Sequence, residues 1–158
     1  EACRDLESQR IIGFDTETRP SFRRGESNTI SLLQLATDRR AYLFRLKKIG
    51  QNQLLKDLLE SEDHMKVGLS VHDDFHSLNR WMPCRPKNFI ELQKYVKAFG
   101  IEEMSLQKIY AIVFNQKISK RQQLSNWEAD QLTPAQQQYA AIDAWACRNI
   151  YYELQHKI

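Results

Sequence analysis

Short apolar runs bounded by polar turns fill the first part of the chain, and longer stretches with helical spacing fill the rest. Residues 2–8 read as a short helix and residues 11–17 as a buried strand. Residues 29–37 and 41–46 read as two further strands joined by the polar turn Asp38-Arg39-Arg40. Residues 51–61 carry Leu54, Leu55, Leu58 and Leu59 at helical spacing. A strand over residues 66–71 precedes a helix over 73–82, and the apolar run 89–92 reads as a last short strand. Residues 105–114 are helical in pattern. The final helix has a start signal, with Thr133 placed to cap it and Pro134 in the first turn, and is expected to reach about residue 156. Strands first, then strands alternating with helices, predict an α/β domain with a mixed sheet.

The 158 residues fit one domain, and a hydrophobic fraction of 42% is enough for a continuous core. No apolar run approaches the ~20 residues of a membrane-spanning helix, and no signal peptide is visible. Cys3, Cys84 and Cys147 stand far apart, with no C-x-x-C pair and no zinc-ligand spacing. They read as reduced thiols of an intracellular, cytoplasmic protein. A net charge of +3 suits a polyanionic partner without singling one out.

Placement of the acids is more informative. In Ile11-Ile12-Gly13-Phe14-Asp15-Thr16-Glu17, strand alternation puts Asp15 and Glu17 on one face at the end of an apolar run. Two adjacent like charges repel, and burial makes that worse unless a cation compensates. The alternative is that the strand ends here and both acids are solvated. On the last helix, Tyr139, Asp143, Ala146, Ile150 and Leu154 form one stripe, with Asp143 its only charge. A buried Asp–Arg pair is the competing explanation. In the helix over 73–82, Asp74 falls with Phe75, Leu78, Trp81 and Met82 on the face expected to be buried. Asp73 falls with His76, Ser77 and Arg80 on the wet face, where it can serve as a helix cap.

Asp15, Glu17, Asp74 and Asp143 can converge only around a hard cation, and oxygen ligands without cysteine favour Mg²⁺ or Mn²⁺. Two such ions roughly 3.5–4 Å apart are the usual clamp for in-line displacement at phosphorus. Tyr139 lies one turn before Asp143 on the same face, so its hydroxyl can hold the attacking water. With an ordinary pKa near ~10 it suits orienting that water better than deprotonating it.

These residues resemble the DEDD superfamily of 3′–5′ exonucleases over nearly the whole chain. The three motifs appear as Phe14-Asp15-Thr16-Glu17-Thr18, Gly68-Leu69-Ser70-Val71-His72-Asp73-Asp74-Phe75 and Tyr139-Ala140-Ala141-Ile142-Asp143. Tyrosine four residues before the last aspartate, with Gln138 where another subfamily has histidine, resembles the DEDDy subfamily. Ser125-Asn126-Trp127 followed by Leu132-Thr133 is similar to ribonuclease D and the Werner syndrome exonuclease domain, and Val67-Gly68-Leu69-Ser70-Val71 leans towards the Werner-like branch. The resemblance implies an RNase H-like fold, a five-stranded mixed sheet flanked by helices, as a single domain over residues 1–158. It also implies two divalent ions, Mg²⁺ or Mn²⁺, and release of nucleoside monophosphates from the 3′ end of DNA or RNA, single-stranded or recessed. Asp15, Glu17, Asp74, Tyr139 and Asp143 are the implied catalytic residues, the four acids being the metal ligands.

Other features carry less. Arg19, Arg23 and Arg24 with Phe22 in the loop 19–28, and Lys117, Lys120 and Arg121 before Trp127, can hold phosphates or stack on a base. Solvated loops explain the basic groups equally, and Trp127 reads better as a core tryptophan and is left outside the site. His72 and His76 have the spacing of metal ligands, but the dense acid set favours a hard cation over zinc. Glu91 reads as a structural acid at the sheet edge. The rival function is a catalytically silent nucleic-acid-binding module on the same fold, which predicts a damaged acid set.

Overall fold

The computed structural model describes residues 1–25 and 28–157. The chain runs α1 (Ala2–Glu7), β1 (Ile11–Thr18), β2 (Ile30–Ala36), β3 (Ala41–Arg45), α2 (Leu46–Ile49), α3 (Gln53–Glu60), β4 (Met65–Gly68) and α4 (Val71–Trp81). It continues with β5 (Phe89–Glu91), α5 (Leu92–Tyr95), a 3₁₀ turn (Val96–Phe99), α6 (Leu106–Phe114) and α7 (Pro134–Gln155). The strands form one sheet in the order β3-β2-β1-β4-β5. The β1–β2 and β2–β3 pairs are antiparallel, and β1–β4 and β4–β5 are parallel. This is the five-stranded mixed sheet flanked by helices that the motifs imply.

Alternation along β1 divides the core. Ile12 and Phe14 point to one side and join Leu6, Leu55, Leu58, Leu59, Val71 and Leu78 from α1, α3 and α4. On the other side, Ile11 packs against a second core built from Ile109, Ala146, Cys147, Ile150 and Leu154 of α6 and α7. Gly13 lies on that second side. A Cβ built on it would sit 1.9 Å from the Ala144 carbonyl oxygen, so only glycine lets α7 press its backbone onto β1.

Helix α7 starts as expected. Thr133 Oγ1 accepts from Gln136 N at 3.1 Å, and the Gln136 side chain accepts in return from Thr133 N at 2.9 Å. Such a reciprocal cap, with proline at the first position, specifies the start of a helix locally.

Three expectations need correction. The strand predicted over 66–71 ends at Gly68, and α4 begins at Val71, not at residue 73. The cause is tertiary. Ser70 takes a left-handed backbone, φ 57°, and the Glu91 carboxylate accepts from Ser70 N at 2.9 Å and Val71 N at 2.8 Å. Glu91 therefore ties the sheet edge to the start of α4, a structural role as expected. Asp73 sits inside the first turn, at the third helical residue, and is not the cap. The short helices α2 and α5 and the 3₁₀ turn had no legible period, being one turn each.

Candidate active site

The site lies where β1 ends against α7. Asp15 and Glu17 project from the face of β1 that α7 covers, and Asp143 comes down from α7. Oxygens of these three carboxylates all lie within 4.8 Å of one another. Glu17 and Asp143 are buried, and Asp15 is partly open to a cavity of about 210 Å³. No Lys or Arg lies within ion-pair distance of any of the three among the described residues. Both competing explanations from the sequence fail here: Glu17 is not solvated, and Asp143 has no arginine partner. Asp143 Oδ1 is buried and has no hydrogen-bond partner among the described residues.

Asp74 reaches the site from the opposite layer. It is half-buried on the sheet-facing side of α4, whereas Asp73 is exposed. Thr16 Oγ1, on the other face of β1, donates to Asp74 Oδ1 at 2.7 Å. Asp74 is not part of the 4.8 Å trio, but Asp15 is close enough to raise its pKa.

Burial raises all four carboxyls above the ordinary carboxylate range, and a cation would favour their charged forms. Burial, then Asp143, hold Asp15 well above the usual carboxylate range. Burial, then Asp15 and Asp143, push Glu17 to about 10. Burial, then Asp15, raise Asp74 to about 8. Burial lifts Asp143 to about 7, with the Tyr139 hydroxyl working against it. Three close acids, two of them buried, an orphaned carboxylate oxygen and an all-oxygen donor set fit a hard divalent cation.

Tyr139 is buried beside the same cavity. Burial, then the charges of Asp143, Glu17 and Asp15, raise its phenol pKa, so the hydroxyl keeps its proton. Its ring stacks on Trp127 at 5.9 Å and 30°. Trp127 is fully buried, and its Nε1 donates to Gln123 O at 3.3 Å. It is the core residue expected, and its place in the core is behind Tyr139.

The basic groups divide. Lys120 lines the acid cavity, and Arg121 lines another that shares Tyr139 with it; Lys117 lines neither. Phe22 is 84% exposed, and Arg19, Arg23 and Arg24 are exposed with it. Glu26 and Ser27 of that loop lie outside the described residues. His72 and His76 are exposed and stay out of the acid cluster. One residue escaped the sequence reading. Gln34 of β2 is fully buried and directs its Nε2 at both Asp15 and Glu17. The signal was an amide inside the apolar run Leu32-Leu33-Gln34-Leu35-Ala36.

A five-stranded mixed sheet flanked by helices, with an acid cluster where the central strand meets the last helix, defines a nuclease domain of RNase H-like fold. The chain belongs to the 3′–5′ exonuclease family, whose sequence profile matches residues 1–158. It is 31% identical over 150 residues to the bifunctional 3′–5′ exonuclease/ATP-dependent helicase WRN of Mus musculus, covering 91% of this chain and 11% of that protein. Across three curated relatives the chain spans 11% to 25% of their length. Escherichia coli RNase D, an exoribonuclease, superposes with a TM-score of 0.87 at 22% identity, covering 99% of this chain and 41% of that one. Brucella melitensis NrnC, solved with bound Mg²⁺, superposes with a TM-score of 0.79 at 19% identity over 96% of this chain and 75% of that one.

Proposed function

We propose that residues 1–158 form a single metal-dependent 3′–5′ exonuclease domain. It hydrolyses the terminal phosphodiester bond at the 3′ end of a DNA or RNA strand, single-stranded or recessed, and releases nucleoside monophosphates. The observation that carries this reading is the close trio Asp15, Glu17 and Asp143, without a Lys or Arg partner among the described residues and opening on a cavity beside Tyr139.

Asp15, Glu17, Asp74 and Asp143 would hold two ions, Mg²⁺ or Mn²⁺; NrnC, of the same fold, was solved with bound Mg²⁺. When bound, such ions supply Lewis acidity that activates the attacking water and stabilises the leaving oxygen. Tyr139, held protonated and braced by Trp127, orients that water towards phosphorus as a donor or acceptor, not as a base. Thr16 keeps Asp74 turned towards the strand end. Lys120 provides positive charge at the cavity wall where a phosphate would enter. The free thiols of Cys3, Cys84 and Cys147 suit a reducing, cytoplasmic setting.

The test compares 5′-labelled single-stranded DNA, single-stranded RNA and a duplex with a recessed 3′ end, in Mg²⁺ and in Mn²⁺. The expected result is a ladder shortening by single nucleotides on at least one substrate, abolished by EDTA and by Asp15→Asn. The amide keeps the volume and removes the charge. A wild-type chain that leaves all three substrates uncut but retains them in a binding assay would establish the silent binding module instead.

A further inference from the structure

The strand beside the acid pair sets a neutral amide against it. Gln34 lies directly opposite Asp15 in the β1–β2 register. Its Nε2 is 3.5 Å from Asp15 Oδ2, 3.4 Å from Glu17 Oε1 and 3.2 Å from the Ala140 carbonyl oxygen of α7. Its Oε1 is buried without a partner among the described residues. Flipping the amide would aim that oxygen at two carboxylates and a carbonyl, so the donor side belongs where it is. A buried acceptor without a partner is costly, and an apolar residue of similar size would avoid that cost. As core filler Gln34 is a poor choice, and its contacts point to another use.

We propose that Gln34 is a positioning residue of the metal centre. This rests on the metal-dependent reading above. Its Nε2 faces one oxygen of Asp15 and one of Glu17 at the long end of hydrogen-bond distance, which would leave the other oxygen of each able to meet a cation. The two hydrogens of the amide are shared among three acceptors, and its shortest contact is to the Ala140 carbonyl, three residues ahead of Asp143 on α7, so that it sets the third acid against the other two. One side chain thereby fixes the spacing of ligands drawn from two elements distant in sequence. Partners of this kind, outside the ligand set, typically change metal affinity by about 10–100-fold when removed.

Gln34→Met and Gln34→Leu remove the donor and keep apolar bulk in an otherwise apolar strand. Mn²⁺ binding to wild type and both variants is measured by calorimetry, beside metal-free thermal melts and strand trimming across a Mn²⁺ series. Melting temperatures in the variants are expected at or above the wild-type value. Mn²⁺ affinity should fall about 10–100-fold, and trimming should recover towards wild type as Mn²⁺ is raised. Wild-type Mn²⁺ affinity in either folded variant overturns the proposal. So does failure of both to fold, which would make Gln34 a residue of the core alone. If the wild-type chain itself binds no Mn²⁺, the metal-dependent reading fails and takes this role with it.

Discussion

Asp73 and Asp74 are adjacent, chemically identical and opposite in surroundings. A helix turns about 100° per residue, so neighbours cannot face the same way. Asp74 meets Thr16 and the field of Asp15, while Asp73 meets water. Asp74→Asn is expected to nearly eliminate strand trimming. Asp73→Asn should stay within a few-fold and lose at most about 1 kcal/mol of stability, a first-turn charge at a helix N-terminus being worth about 0.3–1 kcal/mol. The comparison uses saturating Mn²⁺ and matched melts. An inactive, folded Asp73→Asn beside an active Asp74→Asn would reverse the assignment. For Tyr139 the decisive variant is Tyr139→Phe, which keeps the stack on Trp127 and removes one hydroxyl. Turnover should drop by roughly 10²–10⁴ while Mn²⁺ affinity barely changes. Full turnover in Tyr139→Phe would leave the ring as packing and nothing more.

At the scale of elements, the site depends on how closely α7 lies on β1. Gly13 sets that distance, since its missing Cβ is the space the Ala144 carbonyl fills. Ala144 follows Asp143 directly, so any retreat of the helix carries the acid with it. Gly13→Ala should therefore cost about 3 kcal/mol or more, at the upper end of overpacking penalties. For a domain of this size that is roughly 6–12 °C in melting temperature. Mn²⁺ affinity should fall with it, measured at a temperature where the variant is still folded. Unchanged melting and metal binding in Gly13→Ala would show that α7 can be displaced without cost to the site. Across the sheet, Lys66 of β4 makes a different kind of tie. It is fully buried and donates to the Leu58 and Ser61 carbonyls at 3.0 and 2.8 Å, joining β4 to the end of α3.

For the whole molecule, the acid cluster links folding, pH and metal. The folded, metal-free chain holds Asp143 near 7, Asp74 near 8 and Glu17 near 10, all raised from ordinary values of 3.8 or 4.5. Raised carboxyls mean that the folded state binds more protons than the unfolded state above about pH 4. Their contribution to stability is full at low pH and is lost as pH rises through the folded values. Lys66, lowered to about 8 by burial, acts in the opposite sense and only towards pH 8 and above. Between pH 5 and 7.5 the acids therefore set the trend. The EDTA-treated chain should melt at progressively lower temperature across that range. Mn²⁺ should raise the melting temperature more at pH 7.5 than at pH 5, because it replaces protons already leaving. A Mn²⁺ effect that is flat or shrinking with pH would mean that these carboxyls are not the binding groups.

The sequence by itself determined what depends on local pattern. Period-2 alternation put Asp15 and Glu17 on one face of β1, and the stripe from Tyr139 to Leu154 faces the core as its spacing requires. Thr133 and Pro134 started α7 through contacts within four residues. Helical period also separated Asp74 from Asp73. Tertiary structure decided what depends on partners distant in the chain. Glu91 reaches 21 and 20 residues back to Ser70 and Val71, so β4 ends and α4 begins where no local signal marks it. Gln34 meets Ala140 across 106 residues, and only the sheet register shows that its amide faces two carboxylates. Local chemistry acts over one turn of helix or one strand pair, so the residue types of the site were legible early. Their spacing was set by the packing of α7 on β1 and of α4 beneath it, and that distance exists only in the folded chain.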